Sequence, residues 1–161
     1  MKKTNRLVPM VAAAIACMAL APIAKAQKLP DADTREVTAY TLTEAGFAKY
    51  KAATHNLRGI KIEDCDDETG PKDITQTAAR IDAVPAAKAA VQSAGLTSRE
   101  FVVITFSLMQ NGITSHLMDR PGAKLPPGTN PANVEFFRKH SADFEQLANE
   151  RDSSGCDESG N

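Results

Sequence analysis

The segment that most limits how this chain can fold is the apolar stretch that follows Thr97. Thr97 and Glu100 form a capping box, which marks the first turn of a helix. Apolar residues then recur at helical spacing as far as about Leu117, in two adjacent stripes: Val102, Phe106, Met109, Ile113 and Leu117, and Phe101, Ile104 and Leu108. A strand over 101–108 is the alternative, but the length of the segment and the capping box favour a helix. A helix this apolar is expected at the centre of a core.

Four further segments carry the start and stop signals of helices. The expected helices are 43–58, opened by Thr43 and closed by Gly59; 73–84, opened by Asp73; 85–94, opened by Pro85 and closed by Gly95; and a last helix over 130–151, opened by Asn130 and Pro131. The residue before Pro85 disfavours the helical region, so the second of these helices must end there.

The remaining segments predict no sheet. Residues 27–42 form a polar lead-in in which only Val37 to Leu42 alternates, weakly, as a strand would. Helices joined by short connections predict an all-α fold, a small up-and-down bundle of about five helices spanning 43–151. A chain of 161 residues has room for one such domain, followed by a tail over 152–161.

Residues 1–26 have the three zones of a Sec-type signal peptide. A basic start precedes the apolar segment Leu7 to Ile23, and the small residues Ala24 and Ala26 flank Lys25 at a cleavage site between Ala26 and Gln27. We therefore expect export to the periplasm or the medium, with no membrane span after cleavage. Two alternatives are an uncleaved anchor and a lipoprotein modified at Cys17.

Cleavage changes the charge of the chain. It removes four of the 19 Lys and Arg residues and none of the 20 Asp and Glu residues, which leaves 15 cations and a net charge of −5. An acidic protein without a basic stripe is a poor ligand for a phosphate backbone. Nucleic acid is therefore excluded as the expected partner.

Cys65 and Cys156 are the cysteines that remain after cleavage. Two thiols in an oxidising compartment favour one disulfide. A redox pair is the alternative, but the acidic neighbours of Cys65 would disfavour a reactive thiolate. In an up-and-down bundle the first loop and the C-terminal tail lie at the same end, so the predicted bridge and the predicted fold agree.

No catalytic or cofactor-binding motif accompanies the three histidines, His55, His116 and His140. A soft-metal pair of Met109 and His116 is weaker than the interpretation of Met109 as core. Carboxylates flank both cysteines and could attract Ca²⁺, but the run after Asp64 lacks the EF-hand spacing, which favours a solvated acidic end. We predict no catalytic, cofactor or metal residue, and we interpret His140 with Asp143 as a surface pair.

The expected binding face is the polar side of the helix that starts at Thr97, with residues Thr105, Gln110, Asn111, Thr114 and Ser115. Gly112, near its middle, would admit a closely packed helix or a ligand. The leading hypothesis is a small exported protein with a non-enzymatic role, a binding or accessory module of the cell envelope with a protein or small-molecule partner. The alternatives are a small-molecule or lipid carrier with a cavity between helices, and a hydrolase or metal-dependent enzyme.

Overall fold

The structure of the protein, a computed structural model, describes residues 29–62 and 73–152, with side chains as far as 147 in the second range. Within these ranges the chain forms seven helices and no strand, which confirms the all-α fold class. The helices are α1 (Asp31–Ala39), α2 (Glu44–Asn56), α3 (Ile74–Ala83), α4 (Pro85–Ser93), α5 (Ser98–Met118), α6 (Pro131–Lys139) and α7 (Ser141–Asp152).

The longest helix, α5, lies at the centre of the fold. It packs against α1, α2, α3, α4 and α6. Its N-terminal half supplies much of the core, with the buried side chains Phe101, Val102, Val103, Ile104 and Leu108. The expectation that this helix is central is confirmed, although only its N-terminal half buries mainly apolar side chains.

The predicted helix starts are confirmed by their side-chain caps. Thr43, Asp73 and Asn130 each accept a hydrogen bond from a backbone N–H of the first turn, at 3.1, 2.7 and 3.0 Å. The capping box of α5 is complete: the Glu100 N–H donates to Thr97 Oγ1 at 3.1 Å, and the Thr97 N–H donates to Glu100 Oε2 at 2.8 Å. The bond from the Thr97 backbone lowers the pKa of Glu100.

The polar lead-in contains a helix that the sequence pattern does not predict. Val37, expected in a weakly extended segment, is buried within α1 and belongs to the core. Asp33 Oδ2 accepts a hydrogen bond from the backbone N–H of Ile74 at 2.8 Å, so α1 caps the first turn of α3 across the fold. A nine-residue helix is too short to form by propensity alone, and these tertiary contacts stabilise it.

The last predicted helix is divided into α6 and α7 at His140. The backbone of His140 leaves the helical region, at φ −106° and ψ 16°. Its ring nitrogens lie 3.1 Å from Glu44 Oε1 and 3.0 Å from Asp143 Oδ2. Glu44 is 96 residues away in sequence, so helical periodicity over 130–151 carries no sign of this contact. With α1, this division gives seven helices in the described residues where about five were expected.

The first turn of α6 is tied to the linker between α1 and α2 by one side chain. Asn133, only 2% exposed, accepts a hydrogen bond from the Leu42 N–H at 2.9 Å and donates one to the Tyr40 carbonyl at 2.7 Å. The side-chain amide of Asn133 therefore satisfies two backbone polar groups of a linker that has no secondary structure of its own. The same helix, α6, also packs against α5.

Candidate functional site

The C-terminal half of α5 exposes apolar side chains on its outer face. Met109 is 53% exposed, Ile113 58% and Leu117 39%, and their spacing of four residues aligns them along one side of the helix. We call these three residues the outer stripe. Among the residues that the structure describes, these are the exposed large apolar side chains, and all three lie on α5.

The opposite face of α5, from the middle of the helix onward, is polar and buried. We call it the inner polar face, and its members are Ser107, Asn111, Thr114 and Ser115, none more than 8% exposed. Asn111 Nδ2 donates to the Ser107 carbonyl at 2.7 Å, within the helix itself. Ser115 Oγ accepts a hydrogen bond from Arg138 Nε of α6 at 3.1 Å. These bonds offset the desolvation that burial of polar groups costs.

This arrangement reverses two expectations from the sequence. Met109, interpreted as core, is exposed, together with Ile113 and Leu117. The predicted polar binding face is wrong as a surface for three of its five residues, because Asn111, Thr114 and Ser115 are buried. The other two, Thr105 and Gln110, are half-buried. The spacing of the outer stripe is visible in the sequence. Periodicity defines a face without saying whether it points inward, and here contacts with α6 turn the polar face toward the interior.

Close packing of α6 fixes this orientation. An ideal Cβ placed on Gly112 would lie 2.9 Å from Phe137 Cζ, so the ring of Phe137 occupies the space that any larger residue would need. Of the two roles expected for Gly112, the close approach of a helix is the one observed. Arg138 adds a second tie, donating from Nη2 to Asp119 Oδ1 at 2.9 Å just beyond the end of α5.

A second polar region joins α2 to the junction of α6 and α7. The ring of His140 packs on Phe47, with centroids 5.0 Å apart, and its side chain is 13% exposed. Hydrogen bonds from Lys139 and then His140 lower the pKa of Glu44, and the bond with His140 lowers the pKa of Asp143. The expected pairing of His140 with Asp143 is confirmed, but it sits at a helix junction and includes Glu44.

A cleft of about 270 Å³ lies beside this region, between α2 and α7. Its lining is mostly polar: Lys51, His55, Arg58, Asp143, Gln146 and Leu147. Lys51 Nζ is 3.5 Å from Asp143 Oδ1, so the cation nearest the carboxylate is already paired. A carrier of apolar molecules needs an apolar wall, and this cleft contributes only Leu147 to one.

The disulfide and cleavage-site residues predicted from the sequence are not among the residues that the structure describes. Cys65, Cys156, Ala26 and Gln27 lie outside the described residues, as do the acidic runs beside the two cysteines. Within the described ranges, no three His, Cys, Asp or Glu side chains are grouped to hold a metal ion. His116 is an exposed residue in the last turn of α5.

Comparison with known proteins adds no function. No family model, no curated protein and no solved structure matches the chain. Over residues 29–62 and 73–152, no helix combines the length and the apolar character that a membrane span requires. The outer stripe is therefore the feature of the described fold on which a functional proposal rests.

Proposed function

We propose that this protein is a small exported module with a non-enzymatic role in the cell envelope, and that it binds a protein partner through the outer stripe. One observation carries the proposed binding surface. The exposed large apolar side chains of the described residues all stand on one face of one helix, above an inner polar face that is buried. Clustered exposure of this kind is typical of interaction surfaces, whereas scattered exposed apolar residues are ordinary.

The energy available to a partner follows from the exposed fractions. Complete burial of a side chain of this size contributes about 1.5–3 kcal/mol. About half of each side chain in the outer stripe is still exposed, so a partner covering all three would gain about 2–4 kcal/mol of apolar transfer. That is enough to make the stripe the centre of an interface, but too little to form a tight complex without neighbouring contacts.

Export is part of the proposal and rests on the sequence of residues 1–26. The same proposal includes an up-and-down order of helices in which a disulfide joins Cys65 to Cys156. Cell fractionation followed by N-terminal sequencing tests it: we expect a chain that begins at Gln27. A mass measured without reductant should be two hydrogens lower than the mass after reduction. A cytosolic chain that keeps residues 1–26, and in which Cys17, Cys65 and Cys156 are all free thiols, would contradict both statements.

The docking surface is tested by a photoactivatable residue, p-benzoylphenylalanine, placed at Ile113 in the expressed full-length chain. Irradiation of intact cells should give a cross-linked adduct of higher mass. The matched control carries the probe at Ala89, an exposed position on α4. We expect no adduct from that position. Equal adducts from both positions, or none from Ile113, would refute binding through the outer stripe.

A further inference from the structure

We infer that the partner covering the outer stripe is a second copy of this chain, with the two α5 helices antiparallel and a two-fold axis at Ile113. The inference rests on the proposed function, because it takes the outer stripe to be a docking surface. It goes further in naming the occupant and the register of the contact.

The first argument is the symmetry of the stripe. Met109 precedes Ile113 by four residues and Leu117 follows it by four. A two-fold interface uses the same patch on both copies, so the patch must be complementary to itself. An axis at Ile113 sets Met109 against Leu117 of the partner subunit, and Ile113 meets its own copy. All three contacts are then between flexible or branched apolar side chains of similar volume.

The second argument is charge. The 18 residues from Phe101 to Met118 include no Asp, Glu, Lys or Arg. Two copies of one chain present identical charges, and a charged patch would repel its own copy at a two-fold axis. A neutral face avoids that repulsion, whereas a partner chosen by opposite charge would require a charged face. The polar neighbours also match, because the same axis sets Gln110 opposite His116.

The size of the patch determines the strength of the contact. Met109 and Leu117 are eight residues apart, which is about 12 Å along a helix. The three side chains together cover much less than the roughly 800 Å² per partner of a standard interface. We therefore expect a weak and reversible dimer, with a dissociation constant on the order of 100 µM.

Sedimentation equilibrium of the purified exported chain between roughly 10 µM and 1 mM tests the inference, because that range brackets the expected constant. The average mass should rise from one chain toward two. Ile113→Asp should hold the mass at one chain across the range, since burying a charge at the axis is costly. Ala89→Asp adds the same charge on the exposed face of α4 and should behave as the wild type. Thermal melting of both variants checks that they are folded.

Two results would overturn the inference: a wild-type mass of one chain throughout, or the same mass increase in Ile113→Asp. Register is tested with the photoactivatable residue at Met109. Fragmentation of the cross-linked peptide should place the new bond near Leu117 of the partner subunit. A bond near Met109 of the partner subunit would mean parallel helices and would contradict a two-fold axis at Ile113.

Photo-cross-linking from Ile113, combined with sedimentation equilibrium, distinguishes failure of this inference from failure of the proposed function. If the adduct formed at Ile113 in cells contains a second copy of the chain, both stand. If it contains a different protein and the purified chain stays monomeric, the docking surface stands and the second copy is wrong. If no adduct forms and the chain is monomeric, both are wrong.

Discussion

Asn133 offers the sharpest test of how the fold is held, because one buried amide serves two backbone groups of the linker between α1 and α2. We consider Asn133→Asp, which keeps the size of the side chain. The new carboxylate still accepts the hydrogen bond from the Leu42 N–H, which is 2.9 Å from the amide oxygen. In the wild type the amide nitrogen of Asn133 lies 2.7 Å from the Tyr40 carbonyl oxygen and donates to it. An ionised carboxylate cannot donate, so in the variant a carboxylate oxygen would face the Tyr40 carbonyl oxygen.

The expected cost at neutral pH has two parts. Loss of a partner for a buried polar group costs about 1–3 kcal/mol. A carboxylate held at 2% exposure adds a desolvation cost that its one backbone donor offsets in part. Together we expect the free energy of unfolding to fall by about 2–4 kcal/mol at pH 7.

Acid should reverse this effect. A protonated carboxyl can donate to the Tyr40 carbonyl, so the folded state raises the pKa of the introduced group above its ordinary value of about 3.9. When the pKa is higher in the folded state than in the unfolded state, the group's contribution to stability is present below the unfolded-state pKa. That contribution is lost as the pH rises through the folded-state pKa. The difference between variant and wild type should therefore shrink as pH falls.

Urea unfolding followed by far-UV circular dichroism measures this difference at each pH, which suits a chain without Trp. The control is Asn130→Asp on the same turn of α6. There the side chain accepts from the Ala132 N–H and Asp caps a helix as well as Asn does. We expect the control to stay within about 0.5 kcal/mol of the wild type. A cost for Asn133→Asp below about 1 kcal/mol, or one that does not shrink in acid, would refute the reasoning.

Three further predictions follow from the same contacts. Gly112→Ala should lower stability by about 1–2 kcal/mol because its Cβ meets the Phe137 ring; in a Phe137→Ala background, thermal melting should show it neutral or stabilising, since Ala favours helix. The lowered pKa values of Glu44 and Asp143 stabilise the fold above their unfolded pKa values, and this stability is lost as pH falls through the folded ones. Urea unfolding should therefore show that the free energy of unfolding falls less in acid for Glu44→Gln than for the wild type. Thr97→Ala should cost about 1 kcal/mol in the same assay, and an unchanged midpoint would contradict the capping role.

The sequence predicts those parts of the fold that depend on neighbours within one turn. Caps such as Thr97 and Asp73, and a first helical residue such as Pro85, act on backbone groups a few residues away. Their local signals are sufficient, and the structure confirms them. Helix boundaries near these signals are accordingly correct to within one or two residues.

The parts that the sequence does not predict depend on distant contacts. Helix α1 is held to the fold by Asp33, which accepts a hydrogen bond from the backbone N–H of Ile74 at the start of α3, 41 residues away. At the division between α6 and α7, His140 contacts Glu44, which is 96 residues away. Neither partner is visible from a window of helical length, so the pattern over 27–42 indicated a lead-in and the pattern over 130–151 indicated one helix.

The orientation of α5 follows the same logic and bears on function. Its N-terminal half buries mainly apolar side chains, whereas its C-terminal half buries Asn111 and Ser115 and exposes Ile113. The reverse orientation would place more apolar area in the core and leave fewer polar groups to be satisfied there. A helix that departs from local preference over half its length loses stability unless something covers the exposed side chains, and such departures concentrate at functional surfaces. A partner on the outer stripe supplies that cover, and it accounts for both faces of the half-helix at once.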